Sequence, residues 1–421
     1  MSHVFGCPCG SEAKYACLRR LENAWYDNRR AWDSQSTSRH LPGFTLKPEL
    51  QWPCEDKIFR QRESPPELVV DRSSQNPRSG NATVDVARYK GVVLARKRMQ
   101  WKYPADLEYF KEESQTLRQL KHCHIIQFFG SYTQVRDYTI LLYPYCEYNL
   151  SRFMEENCQA RSMEEVFEYP ELLRDRLYLE SFFPCLAHAL MYIHTNTTRH
   201  ADIKPDNILI KQSLAKVEDC RRYHVYIADF GSASTYSSAS RTKRFARSTP
   251  KYCAPELGPD SETEDQIEST AWGRAADVFS LGCVFAEMLT VLACEEVVAF
   301  DIFRSEKRGA DGVALPRQPP RETVDESFCK SLPRVHEWFE KLAKFASAGP
   351  VAGKDLRNYW YRRGKLQAFG PWKDTFLDTL DIAASMLSEK QDDRPKIAEV
   401  VKRLDVDDCC NREIIPLYAA G

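Results

Sequence analysis

RHADIKPDNILI, residues 199–210, places an aspartate, a lysine and an asparagine in a short loop directly before an apolar strand. These are Asp202, Lys204 and Asn207, and Pro205 stiffens the turn between them. An aspartate can accept the proton of an attacking hydroxyl, and a lysine two residues later can neutralise a phosphoryl group in transfer. An asparagine amide oxygen can hold a metal ion. The loop therefore predicts a site for phosphoryl transfer.

A second carboxylate follows in IADFGSA, residues 227–233, where Asp229 ends a predicted strand. Gly231 lets the chain turn at once, because glycine accepts backbone angles that other residues avoid. A carboxylate at this place suits Mg²⁺, a hard cation that prefers oxygen ligands. The tripeptide alone is equally typical of an ordinary strand end and turn.

Upstream, Lys97 lies in the predicted strand VVLARKRM, residues 92–99, and a helix is predicted from near Pro104 to about Lys121. One face of that helix is apolar except for Glu113 and is formed by the following residues: Phe110, Glu113, Leu117 and Leu120. A carboxylate that points inward needs a cation, because an unpaired buried charge is costly. Lys97 is the candidate, and the pair would direct its ammonium group towards a phosphate. The alternative is a glutamate that reaches solvent at the helix edge.

These signals are followed by Ala-Pro-Glu in STPKYCAPE, residues 248–256. With this order of motifs, the chain resembles the eukaryotic protein kinase family from about Glu67 to Leu404. The resemblance implies an α+β, bilobal protein-kinase-like fold. A small antiparallel β-sheet lobe with one helix would precede a larger, mainly helical lobe. It also implies ATP and Mg²⁺ as cofactors and a protein as substrate.

By resemblance, Lys97 contacts the ATP phosphates with Glu113 as its helix partner, Asp202 and Lys204 are catalytic, and Asn207 and Asp229 bind magnesium. Thr249 and Glu256 belong to the activation segment. Asp277 in DVFSLGC braces the catalytic loop, and Arg394 in DDRP pairs with Glu256. The hinge would be LLYPYCEYNL, residues 141–150, with Tyr143 at the back of the pocket. The positions expected around the nucleotide are Gly80, Val84, Ala95, Lys97, Tyr143, Tyr145 and Cys146.

Two matches to the family pattern indicate which substrate hydroxyl receives the phosphoryl group. Lys204 in D-I-K-P-x-N is the serine/threonine pattern, and Thr249 in STPKYCAPE matches the corresponding serine/threonine segment. The resemblance therefore implies transfer to serine or threonine hydroxyls.

Three departures from the family pattern matter. The phosphate loop PRSGNATV, residues 77–84, has only Gly80 where the family has three glycines, so we expect weaker nucleotide binding. Ala201 replaces the arginine before the catalytic aspartate, and Ser248 replaces a glycine. Because that arginine holds a phosphorylated activation segment in the family, we expect activity without such phosphorylation.

Two other functions stay open. A degenerate, catalytically weak pseudokinase could act as a scaffold or regulator, and the eroded phosphate loop favours this. A small-molecule kinase of related fold is the other, although such enzymes usually lack the Ala-Pro-Glu segment.

The chain divides, by pattern, into an irregular N-terminal extension (1–65), a small lobe (66–145), a helical lobe (146–408) and a short tail (409–421). The helical lobe contains a long insert at about 293–373. Cys7, Cys9 and Cys17 lie in the extension without the spacing of a zinc site, so free thiols are expected there.

Composition narrows the partners. The chain has 421 residues, 59 Lys+Arg and 60 Asp+Glu, for a net charge of −1. This even balance argues against a general nucleic-acid or membrane-surface protein. No uninterrupted run reaches the roughly 18 apolar residues of a membrane span, and the first residues have no apolar signal region. With 15 scattered cysteines, we expect an intracellular protein, cytoplasmic or nuclear. The oligomeric state is left open.

Overall fold

The computed structural model describes most of the two predicted lobes. The described residues are 51–71, 82–159, 165, 170–196, 198–214, 221–235, 249–257, 270–305, 326–348 and 366–404. Outside these ranges lie Cys7, Cys9, Cys17, the short tail, Ser79, Gly80 and Ser248.

The small lobe is built on one curled sheet of six strands around one helix. Its strands lie in the order β1-β5-β6-β4-β3-β2, and all neighbours are antiparallel except β1 and β5. Its elements are β1 (Ile58–Phe59), β2 (Leu68–Asp71), β3 (Ala82–Tyr89), β4 (Val92–Gln100), α1 (Pro104–Gln119), β5 (Gln127–Gln134) and β6 (Asp137–Tyr143). Pro104 starts α1 at a position where its missing N–H costs nothing.

The large lobe is mainly helical and contains two small sheets. Its elements are β7 (Tyr148–Asn149), α2 (Leu150–Asn157), α3 (Pro170–Thr195), β8 (Thr198–Arg199), β9 (Ile208–Leu214), β10 (Arg221–Ile227), β11 (Ser234–Thr235), α4 (Thr270–Leu292), α5 (Val297–Ser305), α6 (Leu332–Ala348), α7 (Leu366–Met386) and α8 (Ile397–Arg403). The bilobal α+β fold expected from the sequence is confirmed.

The helix α4 is the centre of the large lobe. By length and composition its window Gly273–Leu292 would be apolar enough to cross a membrane, but 89% of that window is buried inside the lobe. The helix α6, within the predicted insert, packs on it, and Trp338 donates a hydrogen bond to Thr290 Oγ1 at 3.0 Å. The length of apolar sequence in α4 is therefore explained by protein contacts on all sides.

Residues 51–59, which we call the strap, lie against the outer face of the small-lobe sheet. Ile58 and Phe59 pair with Thr133 and Gln134 of β5. Trp52 is buried and donates from Nε1 to the Ser131 carbonyl at 3.0 Å. The prediction of an irregular extension up to residue 65 is therefore corrected, because this part contributes a strand and a buried indole to the small lobe.

Gly130 makes room for Trp52. A Cβ atom at Gly130 would lie 2.4 Å from Cδ1 of the indole, and its backbone is not in the left-handed region. Gly130→Ala should therefore cost about 1–3 kcal/mol of unfolding free energy, because the ring must move. Urea unfolding of the variant, in the parent and in a Trp52→Ala background, measures this. Equal cost in both backgrounds would show that the ring is not the obstacle.

Candidate active site

Lys97 lies at the centre of a three-residue ion cluster. Strand β4 directs it towards the interior, and its Nζ lies 2.8 Å from Glu113 Oε1 of α1 and 2.8 Å from Asp229 Oδ1. Glu113 is 4% exposed, so it points inward and does not reach solvent at the helix edge. The structure thus brings together a lysine, a helix glutamate and a strand-end aspartate that are distant in sequence.

The electrostatics of this cluster favour the charged forms of Lys97 and Asp229. Burial opposes the charge of Lys97, but Asp229 and Glu113 outweigh it and raise the lysine pKa above its usual value. The attraction of Lys97 lowers the pKa of Asp229 to about 2. Burial raises the pKa of Glu113, and the attraction of Lys97 offsets part of that rise. A protonated Asp229 therefore plays no part near neutral pH.

Asp202 is held by hydrogen bonds to both carboxylate oxygens. Lys204 Nζ lies 2.8 Å from Oδ2, and Asn207 Nδ2 donates to the same oxygen at 2.9 Å. Thr249 donates to Oδ1 from its backbone N at 3.1 Å and from Oγ1 at 2.9 Å, and it accepts from Lys204 at 2.6 Å. These contacts connect the catalytic loop with the segment before Ala-Pro-Glu, and they fix the carboxylate in one orientation.

The loop itself is supported from below by Asp277 of α4. Its carboxylate accepts from the backbone N of His200 at 2.9 Å and of Ala201 at 2.8 Å, and it contacts His194 Nε2 at 3.0 Å. Burial opposes ionisation of Asp277, but its interactions with His194 and His200 together outweigh it and lower the carboxyl pKa. Ala201 has a φ of 65°, an unusual value that this buried anchor makes tolerable.

Further from the chemistry, Arg394 and Glu256 form a bidentate pair, with 2.7 Å from Nη1 to Oε1 and 2.8 Å from Nη2 to Oε2. The arginine side chain is fully buried. The pair joins the Ala-Pro-Glu segment to the end of the large lobe and is structural.

A cleft of about 930 Å³ lies between the lobes next to Lys97. Among the residues expected around a nucleotide, the following line it: Val84, Ala95, Lys97, Tyr145 and Cys146. Gly80 lies outside the described residues. Ala82 of the phosphate loop does line the cleft.

Tyr143 does not line this cleft, and its expected place at the back of the pocket is corrected. Leu142 lines it instead, opposite Ala95 in the paired strands. Tyr143 packs against the outer cluster around Trp52. Successive side chains of a strand point to opposite faces of the sheet, so an expectation that is wrong by one residue places the side chain on the wrong face.

Asn207 and Asp229 fit a magnesium ion. The amide nitrogen of Asn207 donates to Asp202, which leaves its oxygen as the atom for a cation, and Asp229 has a second carboxylate oxygen beside the one facing Lys97. Both residues line the cleft. Mg²⁺ usually takes one or two carboxylates together with substrate phosphates. Within the described ranges no group of three His, Cys, Asp or Glu forms a metal site.

Sequence reasoning missed Tyr109, which also lines the cleft. Its hydroxyl donates a hydrogen bond to the backbone carbonyl of Gly231. The signal was available in part, because Tyr109 precedes Glu113 by one helical turn and so lies on the same side of α1.

The comparison with protein families agrees with this geometry. The family model of the protein kinase domain matches residues 79–403, most of the chain. The chain therefore belongs to the protein kinase family.

The relatives are distant. The serine/threonine-protein kinase TIO of Arabidopsis thaliana is 27% identical over 203 residues, which are 48% of this chain and 13% of that protein. Cyclin-dependent kinase-like 4 of Mus musculus is 30% identical over 241 residues, 52% of this chain and 60% of the relative. Cyclin-dependent kinase F-4 of Oryza sativa subsp. japonica is 27% identical over 207 residues, 49% and 38% of the two chains. In each case the match covers less than two thirds of the relative.

Proposed function

We propose that this chain transfers the γ-phosphoryl group of ATP to serine or threonine hydroxyls of protein substrates, with Mg²⁺. The observation that carries the proposal is that Asn207 connects the cleft with Asp202. Asn207 lines the cleft beside Asp229, and its amide also contacts Asp202. A nucleotide in the cleft would therefore present its terminal phosphate near the carboxylate that receives the proton.

The roles of the side chains follow from their chemistry. Asp202 accepts the proton of the substrate hydroxyl as the hydroxyl oxygen forms its bond to the γ-phosphorus and the bond to the bridging oxygen of ADP breaks. Lys204 lies beside Asp202 and neutralises charge on the transferring group. Lys97, oriented by Glu113, binds the non-reacting phosphates. Mg²⁺, held through Asn207 and Asp229, would neutralise phosphate charge when bound.

The substrate hydroxyl class rests on Lys204 and Thr249, whose contact fixes both against Asp202. An intracellular location, cytoplasmic or nuclear, and the absence of nucleic-acid and membrane partners remain predictions from composition.

The test is a transfer assay with purified protein, γ-labelled ATP, Mg²⁺ and a generic basic protein. Acid hydrolysis of the labelled product should release phosphoserine or phosphothreonine. Label only on tyrosine would contradict the hydroxyl class. ATP binding without any transfer would contradict the proposed enzyme and favour the scaffold function.

A further inference from the structure

The position of α1 decides whether Glu113 reaches Lys97, so the contacts that hold this helix matter for catalysis. Two such contacts lie outside the ion cluster. One joins Tyr109, a turn before Glu113, to Gly231, and the other joins Arg118, in the last turn, to Glu55 of the strap.

Tyr109 joins α1 to the turn that presents Asp229. Its hydroxyl donates to the carbonyl of Gly231, two residues after that aspartate. A Cβ at Gly231 would lie 3.2 Å from the tyrosine oxygen, so the glycine permits this close approach. Phe230, between Asp229 and Gly231, is fully buried beside His200, with ring centroids 4.8 Å apart. A shift of α1 would therefore disturb the aspartate, and a shift of the turn would disturb the helix.

Arg118 joins the other end of α1 to the strap and the sheet. Its guanidinium pairs with Glu55 and lies 4.6 Å from the ring centroid of Phe128. Glu55 is itself fixed by β5, because it accepts from Ser131 Oγ at 2.8 Å and from Ser131 N at 3.2 Å. The strap lies outside residues 79–403, so this attachment is not part of the matched family region.

Activation-segment phosphorylation cannot act through the usual arginine in this chain. Ala201 stands at that position, and its backbone N–H is already bound to Asp277. A phosphate in the segment therefore lacks the arginine that in the family connects it to the catalytic loop. The contacts of Tyr109 and Arg118 are made to groups of the chain itself.

We propose that Tyr109 is a positioning residue for phosphoryl transfer, and that its bond to Gly231, with the Glu55–Arg118 contact, holds α1 in place without activation-segment phosphorylation. The inference rests on the proposed function, since it concerns the regulation of the same site. Contacts that form when the chain folds would then hold α1 in place, which in the family is a role of the activation-segment phosphate.

The first experiment uses the full chain, treated with phosphatase and checked by mass spectrometry. The parent should keep its activity. Tyr109→Phe should lower kcat/KM for ATP by about three- to tenfold, the effect expected from one hydrogen bond. Tyr103→Phe is the control, because Tyr103 is 69% exposed just before α1 and should leave kinetics unchanged. Loss of parent activity on phosphatase treatment would overturn the proposal.

The second experiment separates positioning from stability. Hydrogen exchange of the α1 amides and direct titration with ATP are measured without urea, at a temperature well below the melting temperature. Tyr109→Phe and Glu55→Gln should each speed exchange in α1 and weaken ATP binding, and the double variant should do both more strongly. Parent-like exchange and affinity in Tyr109→Phe would overturn the proposal.

The two proposals fail in different ways. A parent that binds ATP but never transfers phosphate contradicts the proposed enzyme. The exchange and titration of the same variants still decide whether Tyr109 holds α1, because neither measurement needs turnover.

Discussion

Asp202→Asn should lower the rate of phosphoryl transfer by about 10²–10⁴-fold, with the fold and ATP affinity unchanged. The amide has the shape of the carboxylate, and it can still accept from Thr249, but it cannot take the proton of the substrate hydroxyl. Single-turnover transfer from labelled ATP measures the rate, and direct titration measures the affinity. Asp374→Asn, an exposed position in α7, is the matched control.

Two companion variants separate the base from the nucleotide site. Lys97→Met and Asp229→Asn should also abolish detectable transfer, but both should weaken Mg-ATP binding, because these side chains face the cleft. Near-parental transfer by Asp202→Asn would show that another group receives the proton. Equal loss of ATP affinity in all three variants would show that Asp202 belongs to the nucleotide site.

Arg394→Ala should have the largest effect on stability, about 3–5 kcal/mol of unfolding free energy. The substitution leaves the carboxylate of Glu256 without its bidentate partner. It also removes donors to the carbonyls of Ser388 at 2.8 Å, Glu389 at 3.0 Å and Ala275 at 3.3 Å. Urea unfolding followed by tryptophan fluorescence measures the loss.

Arg403→Ala is the control for this change. Arg403 pairs with Asp381, whose side chain is 80% exposed, so its removal should cost at most about 1 kcal/mol. The double variant Glu256→Gln, Arg394→Met should recover part of the loss, because no charge is then left buried and unpaired. An unchanged midpoint for Arg394→Ala would show that the pair does not support the large lobe.

Much of the site could be predicted because its chemistry is specified by residue type and spacing. Asp202, Lys204 and Asn207 lie within one short loop, so their proximity is local. Glu113 could be matched to Lys97 because a carboxylate on an apolar helix face needs a cation. These inferences required only periodicity, charge and the cost of burial.

Other features could not be predicted because they depend on register and on distant contacts. Whether Tyr143 or Leu142 faces the cleft depends on which face of β6 packs on α1. The alternation of side chains along a strand permits either residue. Trp52 and Ser131 are 79 positions apart, and no local pattern in a polar, proline-rich segment indicates that they meet.

The sequence by itself determined the two lobes, the family and the set of candidate catalytic groups, because local patterns and residue types carry that information. Only the tertiary structure decided that the strap completes the small lobe, that Leu142 faces the cleft, and that Tyr109 joins α1 to Gly231. The physical reason is that these contacts depend on which surfaces pack together. Packing is a property of the whole folded chain, and it is settled only when every strand has its register and every helix its neighbour.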